Sequence, residues 1–204
     1  ALARRRGILF HTDAVQAFGH LPIDVNADGI DLLSASAHKL GGPKGVGLLY
    51  MRKGVKISAL LKGGQQEKGY RAGTENVAGI VGFAKAAVYT AEHYKKETVN
   101  VMLLRDRLIR RILEEIPHTY LNGDKEQRLP NHVSISFDFM DAEQLLYLLG
   151  MRGICCSAGA ACNSGAVEAS HVLRAMGVPY ERSMGTLRFS LDPQNTVEEV
   201  DVVV

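Results

Sequence analysis

Along the chain the spacing of apolar positions switches between strand-like and helix-like periods, and the changeovers mark its elements. Three short runs, GILFHT (7–12), IDLLSASA (30–37) and GVGLLYMR (45–52), are apolar enough for strands buried on both faces. They predict a parallel or mixed sheet covered by helices. From Thr74 to about Glu115 the period becomes helical, with Val77, Ile80, Val81, Ala84 and Val88 on a stripe, then Leu108, Ile112 and Ile116, and no proline before Pro117. One long helix or two in series would join two domains. Beyond it, NHVSISFDF (131–139) predicts a strand, DAEQLLYLLGMRG (141–153) a helix stopped by glycine, and ICCSAG a strand running into a loop. ASHVLRAMG predicts a short helix and GTLRFSL a last strand, with Leu187, Phe189 and Leu191 on one face and Thr186, Arg188 and Ser190 on the other. This second part is a small α+β unit.

Both ends suggest cuts inside an element. ALARRRG finishes like a helix stopped at Gly7, and Thr196 with Glu199 has the spacing of a capping box just before the text ends. The sequence is therefore expected to be a piece of a longer protein.

Composition narrows the partners more than the fold. At 204 residues with 46% hydrophobic content the chain can bury one large core or two modest ones. A formal charge of +2 gives no electrostatic ground for a nucleic-acid or membrane partner. The basic run RDRLIRRILEE (105–115) interleaves charge with one apolar stripe, which predicts a solvated helix face. Three cysteines build no disulfide framework, and no signal peptide or long apolar span is present, so a reducing, cytoplasmic setting is expected.

In an open α/β sheet ligands sit beyond the carboxyl ends of the strands. Asp13, Gln16 and Lys39 fall there. Singly, each has an ordinary reading: a helix N-cap, a surface glutamine, a solvated lysine. Together they match what a pyridoxal phosphate enzyme requires: an amine to bond the cofactor's aldehyde, a carboxylate to keep its ring nitrogen protonated, and donors for its phosphate. Ser36 and His38 flank Lys39 as such donors, and Gly41, Gly42 and Gly45 let the backbone turn sharply past a cofactor. Lys44, inside the GGPKG turn, is the lesser candidate. Thr74, where a helix would begin, offers a hydroxyl and free amides to an anion, with Arg71 nearby; alone it is a plain N-cap threonine.

CSAGAACNSG (156–165) carries Cys162 through residues too small to pack, so an exposed nucleophile or sulfur carrier on a mobile loop is expected. Cys155 and Cys156 end an apolar run and are expected to pack in the core. No metal site is expected: the cysteine spacing is not that of structural zinc, and His11 with Asp13 supplies too few ligands. Arg188 could clamp a substrate carboxylate in bidentate fashion, or simply be solvated.

FHTDAVQAFG, SASAHKLGGPKGVG, RAGTENVAGIVG, SAGAACNSG and TLRFSL, in this order, resemble the cysteine desulfurases, pyridoxal-phosphate enzymes that mobilise sulfur for iron–sulfur clusters and other thio-cofactors. The resemblance implies an α/β fold: 1–90 as the later part of a fold-type I large domain, and 91–204 as an inter-domain helix with a small α+β C-terminal domain. By position it implies Lys39 bonded to the cofactor, Asp13 on the pyridine nitrogen, Gln16 on the ring hydroxyl, and Ser36 and His38 on the phosphate. Thr74 would reach the phosphate from the partner subunit of a homodimer, Arg188 would hold the carboxylate of L-cysteine, and Cys162 would attack its sulfur. Lys39 would also take the Cα proton, leaving a persulfide on Cys162 and releasing alanine. The longer cysteine loop resembles the class that hands sulfur to scaffold and carrier proteins, with Ala158 and Ala160 where serine is common. A ring-stacking histidine and a further phosphate-binding threonine, earlier in family members, have no counterpart in this text. The rival readings are a selenocysteine lyase or aminotransferase of the same fold, and a noncatalytic fragment that acts only in association.

Overall fold

A computed structural model describes residues 2–158, 161–163 and 166–204, with side chains left out of the description at 161–163, 166 and 167. The chain forms two compact units, Ala1–Tyr94 and Lys95–Val204. Among the described residues, no helix is long and apolar enough to cross a membrane.

The first unit begins with α1 (Leu2–Arg5), which ends before Gly7, and continues with β1 (His11–Asp13), β2 (Leu32–Ser36) and β3 (Gly47–Met51). These make a three-stranded sheet of order β1-β2-β3, mixed as expected: β1 runs parallel to β2, and β3 antiparallel to it. The strands are shorter and less buried than their hydrophobicity predicts. Ile8, Leu9 and Phe10 lie exposed outside β1, and β3 exposes Leu48 and Leu49. The cause is position: β1 and β3 are edges, and only β2 has a strand on each side, burying Leu33 and Ala35 with Ala14, Ile30, Ala37 and Phe83.

Helix α2 (Val77–Glu115) is a single 39-residue helix. It starts three residues later than Thr74 because Asn76 caps it, its Oδ1 accepting from the Gly79 amide at 3.0 Å. The stripe of Val77, Ile80, Val81, Ala84 and Val88 is exposed, and Phe83 is the buried side chain of this stretch. In the second unit the same helix buries Val101, Leu104, Leu108, Ile109 and Ile112, spaced as an apolar stripe should be.

That stripe lies against a four-stranded antiparallel sheet of order β4-β5-β9-β6, formed by β4 (Thr119–Leu121), β5 (His132–Phe137), β6 (Ser157–Ala158) and β9 (Thr186–Ser190). Between them run α3 (Ala142–Gly150, capped by Asp141), a strand pair β7 (Ala161–Asn163) and β8 (Ala166–Glu168), and the short helices α4 (His171–Ala175) and α5 (Tyr180–Met184). Helix α6 (Val197–Val203) closes the unit, with the expected Thr196–Glu199 capping box. Residues 154–156 are irregular, and strand pairing begins only at Ser157. The basic run is not uniformly solvated. Arg105 is only 3% exposed, giving hydrogen bonds to Asp106 and to the Leu129 carbonyl. Arg107 and Arg111 both clamp Asp201 of α6, and their guanidinium hydrogen bonds hold its carboxyl down at about 2.

The two faces of this sheet differ in chemistry. Val133, Ile135, Leu187 and Phe189 fill the core, while Ser134, Ser136 and Thr186 lie buried on the other face. Asn122 donates to both serines, and the Ser136 and Thr186 hydroxyls bond at 2.7 Å, so the buried polar groups satisfy one another. Gly185 joins α5 to β9 where an alanine Cβ would overlap the carbonyl oxygens of Phe137 and Met140. Backbone cannot step aside as a side chain can, so Gly185→Ala is expected to destabilise the second unit by about 1–3 kcal/mol, measured as a lower denaturation midpoint with unchanged slope.

Candidate functional site

Strands β1 and β2 are parallel, with Asp13 paired in register to Ser34, so the chain leaves both at the same end of the sheet. Asp13 ends β1, exposed, and its Oδ1 accepts from the Val15 amide at 2.9 Å, fixing the carboxylate at the start of a helical turn. That turn is closed by the Phe18 amide on the Ala14 carbonyl, and it carries Gln16, also exposed. The sheet thus assembles Asp13 and Gln16 as the spacing predicts.

At the same end of β2 the chain enters a 3-10 turn, Ala37–Leu40, that contains His38 and Lys39. Ser36 precedes it in extended conformation and makes no side-chain capping bond, so its hydroxyl is not used by the fold at this point. His38 is exposed and Lys39 half-buried. The turn is held at its start by the Ala37 amide on the Val46 carbonyl and by the Gly42 amide on Ala37, and it is stopped by Gly41 at φ 73°. A left-handed cap there admits glycine at no steric cost, which accounts for one glycine of the pattern. Gly47 answers to a different need, since a Cβ on it would stand 2.8 Å from the Ala35 carbonyl across the sheet. Lys44 is exposed in the loop beyond the turn.

A contact that sequence spacing does not reveal completes this turn: His20 Nε2 lies 3.2 Å from the Lys39 carbonyl oxygen. Nothing in the local text GHLP marks His20, because the fold alone brings the two segments together. Thr74 is exposed on the loop before α2, and the preceding Gly73 amide donates to Gln66 Oε1 at 3.2 Å. Arg71 is turned onto the carbonyl of Ala72. His11 bonds the Ser34 hydroxyl at 2.8 Å, and among the described residues no group of three or more His, Cys, Asp or Glu side chains is placed to hold a metal ion.

Arg188 and Cys162 belong to the second unit. Arg188 is exposed on the polar face of the sheet, with Ser134 of β5 and Ser157 of β6 as its register partners. Among the described residues no salt bridge to a carboxylate includes Arg188. His132 on β5 has its proton affinity lowered by burial first, then by the cations of Arg128 and Arg188, which favours the uncharged imidazole. Cys162 pairs through its backbone with Val167 of β8, so a strand pair stands where only a loop was expected. The expected mobility of the loop and exposure of its thiol fall outside the described residues. Cys156 packs partly against the core of the unit, whereas Cys155 is exposed, contrary to the expectation for that residue.

The profile for the family described as Aminotransferase class-V matches residues 1–203. The chain belongs to the class-V aminotransferases. Among curated class-V relatives, it is 53% identical over 203 residues to the cysteine desulfurase IscS of Methanosarcina thermophila, covering 100% of this chain and 50% of that protein. It is 49% identical over 204 residues to a cysteine desulfurase of Gluconacetobacter diazotrophicus, covering 100% of this chain and 51% of that one. The solved NifS-like protein from Rickettsia africae superposes with a TM-score of 0.89 at 32% identity, over 98% of this chain and 52% of its own. The chain thus spans about half the length of the curated relatives it matches.

Class-V aminotransferases use pyridoxal phosphate, and the donor set fits that group. Asp13 would provide a carboxylate for a protonated ring nitrogen and Lys39 a primary amine for the aldehyde, on segments that leave adjacent parallel strands at the same end. Ser36 and His38, on the segment that carries Lys39, would provide donors for the phosphate.

Proposed function

We propose that this chain carries the lysine and the cysteine of a cysteine desulfurase that converts L-cysteine to alanine and keeps the sulfur on the protein. The reading rests on one observation above the rest: Lys39 lies in the turn that follows β2, at the same end of the sheet as Asp13 on the adjacent parallel β1, in a chain about half identical to proteins named cysteine desulfurase.

In this reading Asp13 holds the proton on the ring nitrogen, Gln16 orients the ring hydroxyl, and Ser36 and His38 hold the phosphate, with Thr74 serving the phosphate of a partner subunit in a homodimer. When bound, pyridoxal phosphate supplies a sink for the electron pair left at the substrate Cα. Lys39 Nζ takes the proton from that carbon as a general base. Arg188 binds the substrate carboxylate through two parallel N–H donors, which fixes the direction in which the sulfur points. The Cys162 thiolate then attacks that sulfur: an S–S bond forms, the substrate Cβ–S bond breaks, and its electron pair stays with carbon, which is protonated to give alanine. The persulfide sulfur on Cys162 passes to a scaffold or carrier protein. Free Cys155 and Cys156 accord with the reducing, cytoplasmic setting we assign to this chemistry.

The test is which lysine the cofactor labels. After addition of pyridoxal phosphate, borohydride reduction and peptide mapping, the phosphopyridoxyl group is expected on Lys39; a label on Lys44 instead, or on neither, defeats the assignment. A second reading, that the chain turns nothing over by itself and works only in association, is favoured by the exposed apolar side chains of Ile8, Leu9, Phe10, Leu48 and Leu49 at the edges of the sheet. Sustained release of alanine by the purified chain, given cofactor and L-cysteine, would exclude it.

A further inference from the structure

We propose that His20 is a positioning residue for Lys39, a role that rests on Lys39 being the amine that bonds the cofactor. A carbonyl oxygen only accepts hydrogen bonds, so the 3.2 Å contact between His20 Nε2 and the Lys39 oxygen requires the proton to sit on Nε2. The imidazole is anchored in turn. The His20 amide donates to the Ala17 carbonyl at 2.9 Å, at the end of the helical turn that follows Asp13 and carries Gln16. Next to it, Gly19 packs so tightly that a Cβ would overlap the Leu40 side chain and come within 3.1 Å of Thr90.

Residues 19 and 20 therefore meet residues 40 and 39, one pair by packing and one by a hydrogen bond. This ties the segment that presents Asp13 and Gln16 to the turn that presents Lys39. The turn needs such a tie. It is a single 3-10 turn, a geometry with weaker internal hydrogen bonds than an α-helix, tied at its start by the Ala37 amide on the Val46 carbonyl and closed by the Gly41 and Gly42 amides on the Ala37 carbonyl. The His20 bond secures the peptide of Lys39 itself. Without it the Lys39 carbonyl loses its tie to the segment after β1, and the approach of the amine to a group held from the β1 side is less closely fixed.

Two variants separate positioning from bulk packing. His20→Gln keeps an N–H donor close to the Nε2 position, and His20→Met keeps similar length without a donor. The readout is the rate at which Lys39 takes up pyridoxal phosphate, followed by borohydride trapping and peptide mapping at a temperature well below both melting midpoints. His20→Met is expected to slow trapping at Lys39 by about tenfold, the equivalent of one lost hydrogen bond, and His20→Gln to stay within about twofold of the parent. Equal rates for the Met variant and the parent, or a Gln variant as slow as the Met variant, overturn the proposal. Nitrogen chemical shifts of the His20 ring give an independent check on the unsubstituted chain whatever the folding of the variants: a proton on Nε2 supports the proposal, and one on Nδ1 alone overturns it. A parent chain that takes no label at Lys39 is a separate outcome, since it removes the reading of Lys39 on which the role of His20 depends.

Discussion

In a Cys162→Ala variant, mobilisation of sulfur from L-cysteine is expected to fall to background, while Lys39 takes up pyridoxal phosphate to the parent extent. The separation follows from where each residue gets its support. The turn that holds Lys39 is built from hydrogen bonds to Val46, Ala37 and His20, all in the first unit. Cys162 is fixed by backbone pairing with Val167 in the second, which an alanine preserves. The substitution therefore removes the thiol and keeps the backbone pairing. The other cysteines serve as controls. Burial, and then the neighbouring Cys155, raise the proton affinity of the Cys156 thiol, which leaves it protonated and a poor nucleophile at neutral pH. Cys156→Ala should cost about 1 kcal/mol of stability through lost packing and spare sulfur transfer, and Cys155→Ala, at an exposed position, should change little. Alkylation followed by mass spectrometry counts the sulfur carried at each cysteine. Sulfur mobilisation at the parent rate by the Cys162 variant would refute its role. An aminotransferase of the same fold has no need of Cys162, so the same variant discriminates that rival.

The Lys39 segment was legible because its signals are local: an apolar strand, an abrupt stop, and glycines demanded by a left-handed cap at Gly41 and a close strand approach at Gly47. The capping box at Thr196 and the alternation of β9 were legible for the same reason. What hydrophobicity could not supply was the neighbour. Ile8, Leu9 and Phe10 have the composition of a buried strand, but burial depends on what lies beyond the edge at β1, which no local pattern encodes. The stripe Val77, Ile80, Val81, Ala84, Val88 identified a helix correctly, yet it lies exposed, because a period names an element without naming the face that meets a partner. Arg105 went unrecognised as an interior residue for a related reason. Charge alone predicts solvent, and only the Leu129 carbonyl, 24 residues away, together with Asp106, satisfies the guanidinium inside. His20 belongs to this class too, since its partner lies 19 residues on and neither residue announces the other.

Arg188→Ala should weaken L-cysteine binding far more than cofactor binding. Three features of the second unit single out this arginine. It stands exposed on β9 with the small serines Ser134 and Ser157 as its cross-strand neighbours, so nothing bulky flanks the guanidinium in register. The other arginines that could be confused with it are committed elsewhere: Arg182 pairs with Asp138 and stacks 3.5 Å over the Tyr120 ring, Arg128 donates to the carbonyls of Asp124, His132 and Asn122, and Arg107 and Arg111 hold Asp201. Burial first, then Arg128 and Arg188, lower the proton affinity of half-buried His132, so Arg188 is felt by a neighbouring ring that favours its uncharged form. A substrate carboxylate arriving there exchanges water for two charge-assisted bonds, and removing one partner of such a pair costs about 2–4 kcal/mol where water is excluded. The expected result is a rise of at least about tenfold in the KM for L-cysteine, approaching several hundredfold with full desolvation. Trapping of pyridoxal phosphate at Lys39 should be unchanged. Arg188→Lys separates charge from geometry, because an ammonium restores attraction without the planar pair of donors, so it should recover only part of the loss. An unchanged KM in the alanine variant would return Arg188 to the ordinary solvated arginine that its alternating strand first allowed.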